Sequence, residues 1–188
     1  MNSKRIFDII SAVILLVILC IPMFIIAVMV KISSSGPFLY RSDRVGRDNE
    51  IFKMPKFRTM RIDTPPVATH LMQNPEKYLT PIGAILRMSS LDELPQLFSV
   101  LNGDMSFVGP RPALYNQSDL IKLRTQKGIH KLVPGITGWA QVNGRDELPI
   151  PVKVSFDEVY LKNRSFRFDL KILWLTFLKV IKREGVSH

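Results

Sequence analysis

Two carboxylates stand side by side at Asp92-Glu93, with Arg87 upstream and Arg111 downstream in the turn Gly109-Pro110-Arg111-Pro112. Adjacent acids flanked by guanidinium groups suit a phosphate together with a divalent cation. An acid kept ionised by such a positive field could attack phosphorus and form an acyl phosphate. The arginines would offset charge in the transition state. The same residues also have a purely structural reading. Ser90-Leu91-Asp92-Glu93 fits a capping box, with Ser90 as N-cap and Glu93 reaching back. The acids would then merely favour the positive end of a helix. Pro95 argues against that register, because it would sit deep enough to lose a bond to a carbonyl one turn earlier. A helix starting at Asp92 puts Pro95 where the N–H is unpaired anyway. In both registers the carboxylates lie at a helix N-terminus, and the residues alone leave cap and active site open.

The elements that must position this pair read as a mainly α domain with a few short strands. Phe38–Tyr40 and Ile51–Met54 have strand character, joined by the charged turn Arg41–Arg47. Ile62–Thr80, with three prolines, reads as a loop. Gly83–Met88, Glu93–Leu101, Asn116–Lys127 and Phe156–Lys162 read as helices, the second closed by Asn102-Gly103. Pro134–Arg145 is a glycine-punctuated loop holding amide, indole and guanidinium groups. Leu170–Lys182 is apolar, with Lys171, Lys179 and Lys182 near one stripe. That pattern suits a helix lying in a membrane interface, or a core helix with snorkelling lysines.

Ile9–Val30 is an apolar run without a charge, preceded by Lys4-Arg5 and followed by Lys31, Arg41, Arg44 and Arg47. It is too long for the core of a cleaved signal peptide and long enough for a spanning helix. Pro22 lies past its middle, where a kink is expected. The parts before and after it would reach only about 20 and 14 Å as helix, against a hydrocarbon core about 30 Å thick. Basic residues at both ends favour a cytoplasmic position for both. A re-entrant helix and a Pro-kinked spanning helix are both compatible with this. The domain boundary falls at 1–35 against 36–188.

The chain has 188 residues, one cysteine (Cys20, inside the apolar run) and a net charge of +10. The lone cysteine excludes a disulfide framework or a cysteine zinc site. The charge calls for a polyanionic partner: anionic lipid, nucleic acid or phosphorylated substrate. No helix-turn-helix, zinc finger or aromatic RNA-binding motif is present, which argues against nucleic acid.

Three long ordered stretches then carry a resemblance: Arg87–Leu97, Gly103–Pro112 and Pro134–Arg145. Lys56-Phe57-Arg58-Thr59-Met60 and Lys4-Arg5-Ile6-Phe7-Asp8 add to it. Over nearly the whole chain the sequence resembles the bacterial sugar transferases, in their minimal monotopic phosphoglycosyl transferase form. The resemblance implies transfer of a phosphosugar from a UDP-sugar to a polyprenol phosphate, usually undecaprenyl phosphate, with release of UMP. It implies Asp92 as nucleophile on the β-phosphate, Glu93 as its partner, and Mg2+ held by Asp92 and Glu93. Arg87 and Arg111 match positions suited to phosphate. Lys56, Pro112, Asp157, Gln141, Asn143, Gly144 and Arg145 fall on shared positions implied to bind or shape the substrate site. A helix broken at Ile21-Pro22 is implied, although the serine that often precedes this proline is replaced by Ile21. The implied setting is the cytoplasmic face of a bacterial inner membrane, with both chain ends cytoplasmic. There the chain would contact membrane lipids and could associate with downstream glycosyltransferases, initiating glycan assembly. Direct glycosyl transfer with UDP release, or a non-catalytic membrane scaffold, are the competing functions. Ile62–Thr80 and Asp146–Val154 flank the motifs as candidate specificity segments; the sugar itself is not named by the sequence.

Overall fold

The computed structural model describes residues 3–65, 74–144 and 148–182. The elements run α1 (Ser3–Ser33), β1 (Leu39–Val45), β2 (Ile51–Phe57), α2 (Gly83–Met88), α3 (Gln96–Asn102), β3 (Ser106–Val108), β4 (Ala113–Leu114), α4 (Ser118–Gln126), β5 (Gly135–Thr137), α5 (Trp139–Gly144), α6 (Ile150–Asn163) and α7 (Phe166–Lys182). This is mostly helix with few strands. β1 is the middle strand of a three-stranded antiparallel sheet, between β2 and β4, and β3 pairs in parallel with β5.

Several local expectations are corrected. Arg41–Val45 is not a turn: β1 and β2 pair over their full length, from Leu39 opposite Phe57 to Val45 opposite Ile51. The reversal is confined to a 3-10 turn at Arg47–Asn49, where Asp48 and Asn49 take positive φ. Asp and Asn tolerate that conformation better than most residues. The stretch 134–144 is not a loop but β5 followed by α5. The helix expected from Glu93 begins at Gln96 instead, with Pro95 as its N-cap, so the proline costs no hydrogen bond. Gly103, at φ +96, ends α3 in the left-handed conformation that a residue with a Cβ takes only under strain.

α1 is continuous through Pro22, one helix rather than two. Both of its ends are built into the rest of the chain. At the start, Lys4 Nζ donates to Val108 O (2.9 Å) and Asp169 Oδ2 (2.6 Å). Arg5 donates to the carbonyls of Val100 and Leu101 at the end of α3. Buried Asp8 accepts the Phe107 N–H. Tyr160 donates to the other oxygen of Asp169 (2.7 Å). Burial, and then the Asp169 carboxylate, push its phenol upward, so it remains a donor. Near the other end, Ile26 and Val30 pack with Phe57 and Leu86. Beyond it, buried Arg58 donates to the carbonyls of Ser34 and Ser35 and to Ser34 Oγ. Gly36 has φ +112 and lies so close to the Arg58 guanidinium that a Cβ would collide with it. Between these anchors, Val13, Ile14, Val17, Ile18, Ile21, Phe24 and Ile25 are exposed.

The largest core cluster joins α4, α6 and α7 around Leu120, Val154, Tyr160 and Ile172. α7 turns Ile172 inward and leaves Phe166, Leu170, Trp174 and Phe177 exposed. Lys171 lies over the Trp139 ring at 5.6 Å. Its exposed stripe is therefore mainly aromatic and aliphatic, and Phe7 of α1 meets Phe166 edge-on at its start.

Candidate active site

Asp92 and Glu93 sit in a 3-10 turn, Leu91–Glu93, wedged between α2 and α3. Ser90 opens this turn in the left-handed region (φ 56°, ψ 17°) and forms no side-chain cap bond. The capping box is therefore absent. The backbone conformation at Ser90 costs roughly 1 kcal/mol or more, a kind of strain that clusters at functional sites.

Three cations converge on the pair from three elements. Lys56, on β2, places Nζ 2.5 Å from Glu93 Oε1 and 4.0 Å from Asp92 Oδ2. Arg111, in the turn before β4, donates Nη2 to the same Glu93 oxygen at 3.0 Å. Arg87, at the end of α2, donates Nε to Thr59 Oγ1 at 2.9 Å and feels the charge of Asp92. Burial pulls its guanidinium downward, with Asp92 opposing, but a guanidinium stays protonated in proteins.

The two acids differ electrostatically. Burial pushes the Asp92 carboxyl up and Glu93 adds to this, while Lys56, Arg87 and Arg111 oppose. For Glu93 burial is again the largest influence, but Arg111 and Lys56 outweigh it by charge and hydrogen bonding, so this carboxyl lies well below the usual range. Glu93 is thus a locked anion, and Asp92 is a buried carboxylate whose charge depends on its cationic neighbours. With three cations and two acids, the cluster retains one positive charge for an anionic ligand.

The floor beneath the cluster belongs partly to α1. Phe57, Leu86 and Leu94 each adjoin a site residue in sequence (Lys56, Arg87 and Glu93), and all three pack in the cluster built around Ile26 and Val30.

The other residues singled out from the sequence lie elsewhere or face inward. Asp157 is fully buried; Arg124 Nε and Nη2 donate to its Oδ2 at 2.9 and 2.6 Å. Its connection to the cluster is indirect, because Arg124 Nη1 also donates to the Arg111 carbonyl. Pro112 presents its carbonyl to Arg44. Gln141 donates to Ile136 O and Asn143 to Trp139 O, both to nearby backbone, and Gly144 closes α5. Arg145 lies outside the described residues. Ile21 and Pro22 are exposed on α1. Sequence reasoning missed Thr59, which orients Arg87, and Arg124, which holds the Arg111 turn. Thr59 lies inside the Lys56–Met60 motif, where a signal existed; Arg124 has none.

The chain matches the family model described as bacterial sugar transferase over residues 1–183. It is 40% identical over 190 residues to the uncharacterized sugar transferase EpsL of Bacillus subtilis (strain 168), covering 100% of this chain and 92% of that protein. It is 41% identical over 184 residues to the UDP-glucose:undecaprenyl-phosphate glucose-1-phosphate transferase of Escherichia coli (strain K12), covering 94% of this chain but 39% of that protein. Against the undecaprenyl-phosphate galactose phosphotransferase of Salmonella typhimurium identity is 36% over 199 residues, covering 97% of this chain and 41% of that protein. The chain thus spans about two fifths of the length of these two larger relatives and nearly all of EpsL. The motifs around Asp92-Glu93 and the match along almost the full length together assign the chain to the bacterial sugar transferase family.

Proposed function

We propose that this chain transfers a sugar phosphate from a UDP-sugar to a polyprenol phosphate, undecaprenyl phosphate being the acceptor named for its relatives. The observation carrying this reading is the encirclement of Asp92 and Glu93 by Lys56, Arg87 and Arg111. A diphosphate entering there meets three cations and one buried carboxylate kept competent by them. An Asp92 oxygen attacks the β-phosphorus, forming an O–P bond as the bond to the bridging oxygen breaks. UMP leaves with that oxygen. A phosphate oxygen of the acceptor then attacks the same phosphorus, and the Asp92–phosphorus bond breaks to restore the carboxylate. Lys56 and the arginines neutralise charge on the non-bridging oxygens in both steps.

Magnesium fits this donor set. No group of three or more His, Cys, Asp or Glu converges among the described residues, so there is no closed cage. Magnesium typically takes one or two carboxylates and completes its shell with phosphate oxygens and water. Asp92 and Glu93 would hold it, with Lys56 and Arg111 both donating to Glu93 Oε1. When bound, it would supply Lewis-acid polarisation of the diphosphate.

The two anchors of α1 support a re-entrant membrane arrangement. Ala12 belongs to a cluster with Met54, and Val30 to one with Phe57. Ala12 and Val30 would lie about 27 Å apart along a straight helix, whereas Met54 and Phe57 lie about 10 Å apart on β2. This mismatch, with both ends docked on one body, supports a helix bent at Pro22 that enters and leaves one membrane face. The exposed apolar stripe of α7 supports an interfacial position beside it. In a bacterium that face is the cytoplasmic side of the inner membrane.

UDP-glucose and UDP-galactose are the first donors to try, with N-acetylated amino sugars next. The expected products with undecaprenyl phosphate and magnesium are UMP and a diphosphate-linked lipid sugar. Asp92→Asn should abolish turnover, and mass spectrometry of donor-treated enzyme should find the sugar phosphate on Asp92. Release of UDP, or full activity in Asp92→Asn, would refute the reading. Chelation should stop turnover and added magnesium restore it.

A further inference from the structure

Gln96 is 1% exposed, and its Nε2 has no hydrogen-bond partner among the described residues. A buried amide without a partner costs stability, so native structures rarely keep one without a use. Its place on the chain shows which use. Leu91–Glu93 is a 3-10 turn, and Leu94 (φ −51°, ψ −37°) and Pro95 (φ −61°, ψ −15°) stay in the right-handed helical region until α3 begins at Gln96. The N–H of Leu94 donates to Leu91 O and that of Leu97 to Leu94 O, so the path from the acids into α3 is helical throughout. Residues three and four apart on such a path are neighbours, which sets Gln96 beside Glu93 and Asp92. Long helical side chains lean toward the N-terminus, so the Gln96 amide leans back over the turn that carries both acids. One turn further on, Val100 packs with Met54 of β2, while Lys56, on the same face of β2 as Met54, holds Glu93. Gln96 lies between these two contacts along the chain.

Asp92 has the matching deficit. Lys56 Nζ stands 4.0 Å from its Oδ2, a charge contact too long for a hydrogen bond. The same lysine is committed to Glu93 and, in the reaction proposed above, is also needed by the diphosphate. We propose that Gln96 is a positioning residue, its Nε2 donating to the Asp92 carboxylate when the sugar donor is bound and Lys56 turns to the diphosphate. This role rests on the sugar phosphate transfer proposed above. A neutral amide buried below the cations orients the carboxylate without becoming a second binding site for phosphate. An acyl phosphate uses one carboxylate oxygen, so the other stays available to the amide through both steps. The amide that the structure leaves unpaired thus gains its partner as the nucleophile is fixed in its attacking geometry.

The test uses the full chain in nanodiscs and reads a single turnover: UMP released before any acceptor is added. The donor is UDP-glucose, or another UDP-sugar that the unaltered protein turns over. Gln96→Met keeps the side-chain length and removes the hydrogen-bond donor. Gln96→Glu keeps the shape and puts an acceptor in the donor's place. Both should slow this UMP burst about tenfold or more, the loss expected for a hydrogen bond to a charged group. In Gln96→Met the inhibition constant of UMP should be unchanged, because the cations are untouched. The same variant should melt no lower than the unaltered protein, since it removes a buried amide that lacks a partner. A full-rate burst in Gln96→Met would reduce the side chain to its shape, and one in Gln96→Glu would make the amide an acceptor; either overturns the role. So does a matching loss of UMP affinity, which would put Gln96 in phosphate binding. A lower melting temperature in Gln96→Met, or its failure to fold, also overturns it, because the amide would then be holding the resting structure through a trapped water. Absence of UMP release by the unaltered protein would count against the transfer reaction instead, so the two failures are distinguishable.

Discussion

At the scale of single residues, the decisive arrangement is that one lysine serves two carboxylates in different states. Lys56 binds Glu93 tightly and stands at longer range from Asp92. In the proposed reaction Asp92 must be ionised to attack, and burial already raises its proton affinity. Removing Lys56 removes an influence that lowers it, so the Asp92 carboxyl moves higher still. In Lys56→Met the acid limb of the rate–pH profile should therefore shift to higher pH, beyond any fall in the maximum rate; initial rates of UMP release across the acid range would show it. Thr59 makes a second residue-level prediction. Thr59→Val leaves half-buried Arg87 Nε without its acceptor, which should cost about 1–3 kcal/mol, roughly fivefold or more in kcat/KM, with Thr59→Ser restoring it. The acids and arginines were legible because their types and order imply phosphate chemistry. The register was not: Ser90 reads as an N-cap by residue type but adopts a left-handed conformation, which sequence pattern does not encode. Gln141 and Asn143 show the converse case, since residue types suited to a ligand spend their amides on nearby carbonyls.

At the scale of elements, the site is held by links between segments far apart in sequence. Arg124 of α4 joins Asp157 of α6 to the backbone of Arg111. Breaking a buried ion pair from one side leaves an uncompensated charge, which typically costs about 3–5 kcal/mol. Asp157→Leu should lower stability by that amount and raise the donor KM as the Arg111 turn loosens. The double variant Asp157→Leu with Arg124→Met should recover much of the stability but not the KM, because the bond to the Arg111 carbonyl is gone. Thermal unfolding and donor kinetics on the same samples check both parts. Such links explain which elements could be read in advance. α2 and α4 follow from local pattern and end close to the expected residues. β1 reads too short in the sequence because Arg41, Asp43 and Arg44 look like turn residues, yet Arg41 is exposed on the strand and Asp43 and Arg44 are only partly buried, positions that tolerate charge. β5 and α5 were hidden by glycines, and their regularity depends on a parallel pairing with β3 that no local signal reveals.

At the scale of the whole molecule, the net positive charge and the twice-anchored α1 both support the proposed re-entrant geometry. A net charge of +10 favours the anionic cytoplasmic leaflet. Lys4, Arg5 and Asp8 fasten one end of the apolar segment to α3, β3 and α7, while Arg58 fastens the chain just past the other end to β2. A helix crossing the bilayer would have to release one set of these bonds, exposing the buried Asp8 and Asp169 carboxylates or the buried Arg58 guanidinium. A bent helix keeps both sets and still places its exposed apolar middle in lipid. The single cysteine makes this testable. In a Cys20→Ala background, a cysteine replacing Ser3 and one replacing Ser35 should both resist a membrane-impermeant maleimide added to intact cells. Both should react in inside-out vesicles. Labelling of the Ser3→Cys protein from outside would mean that the anchors at Val100, Val108 and Asp169 do not hold in the membrane.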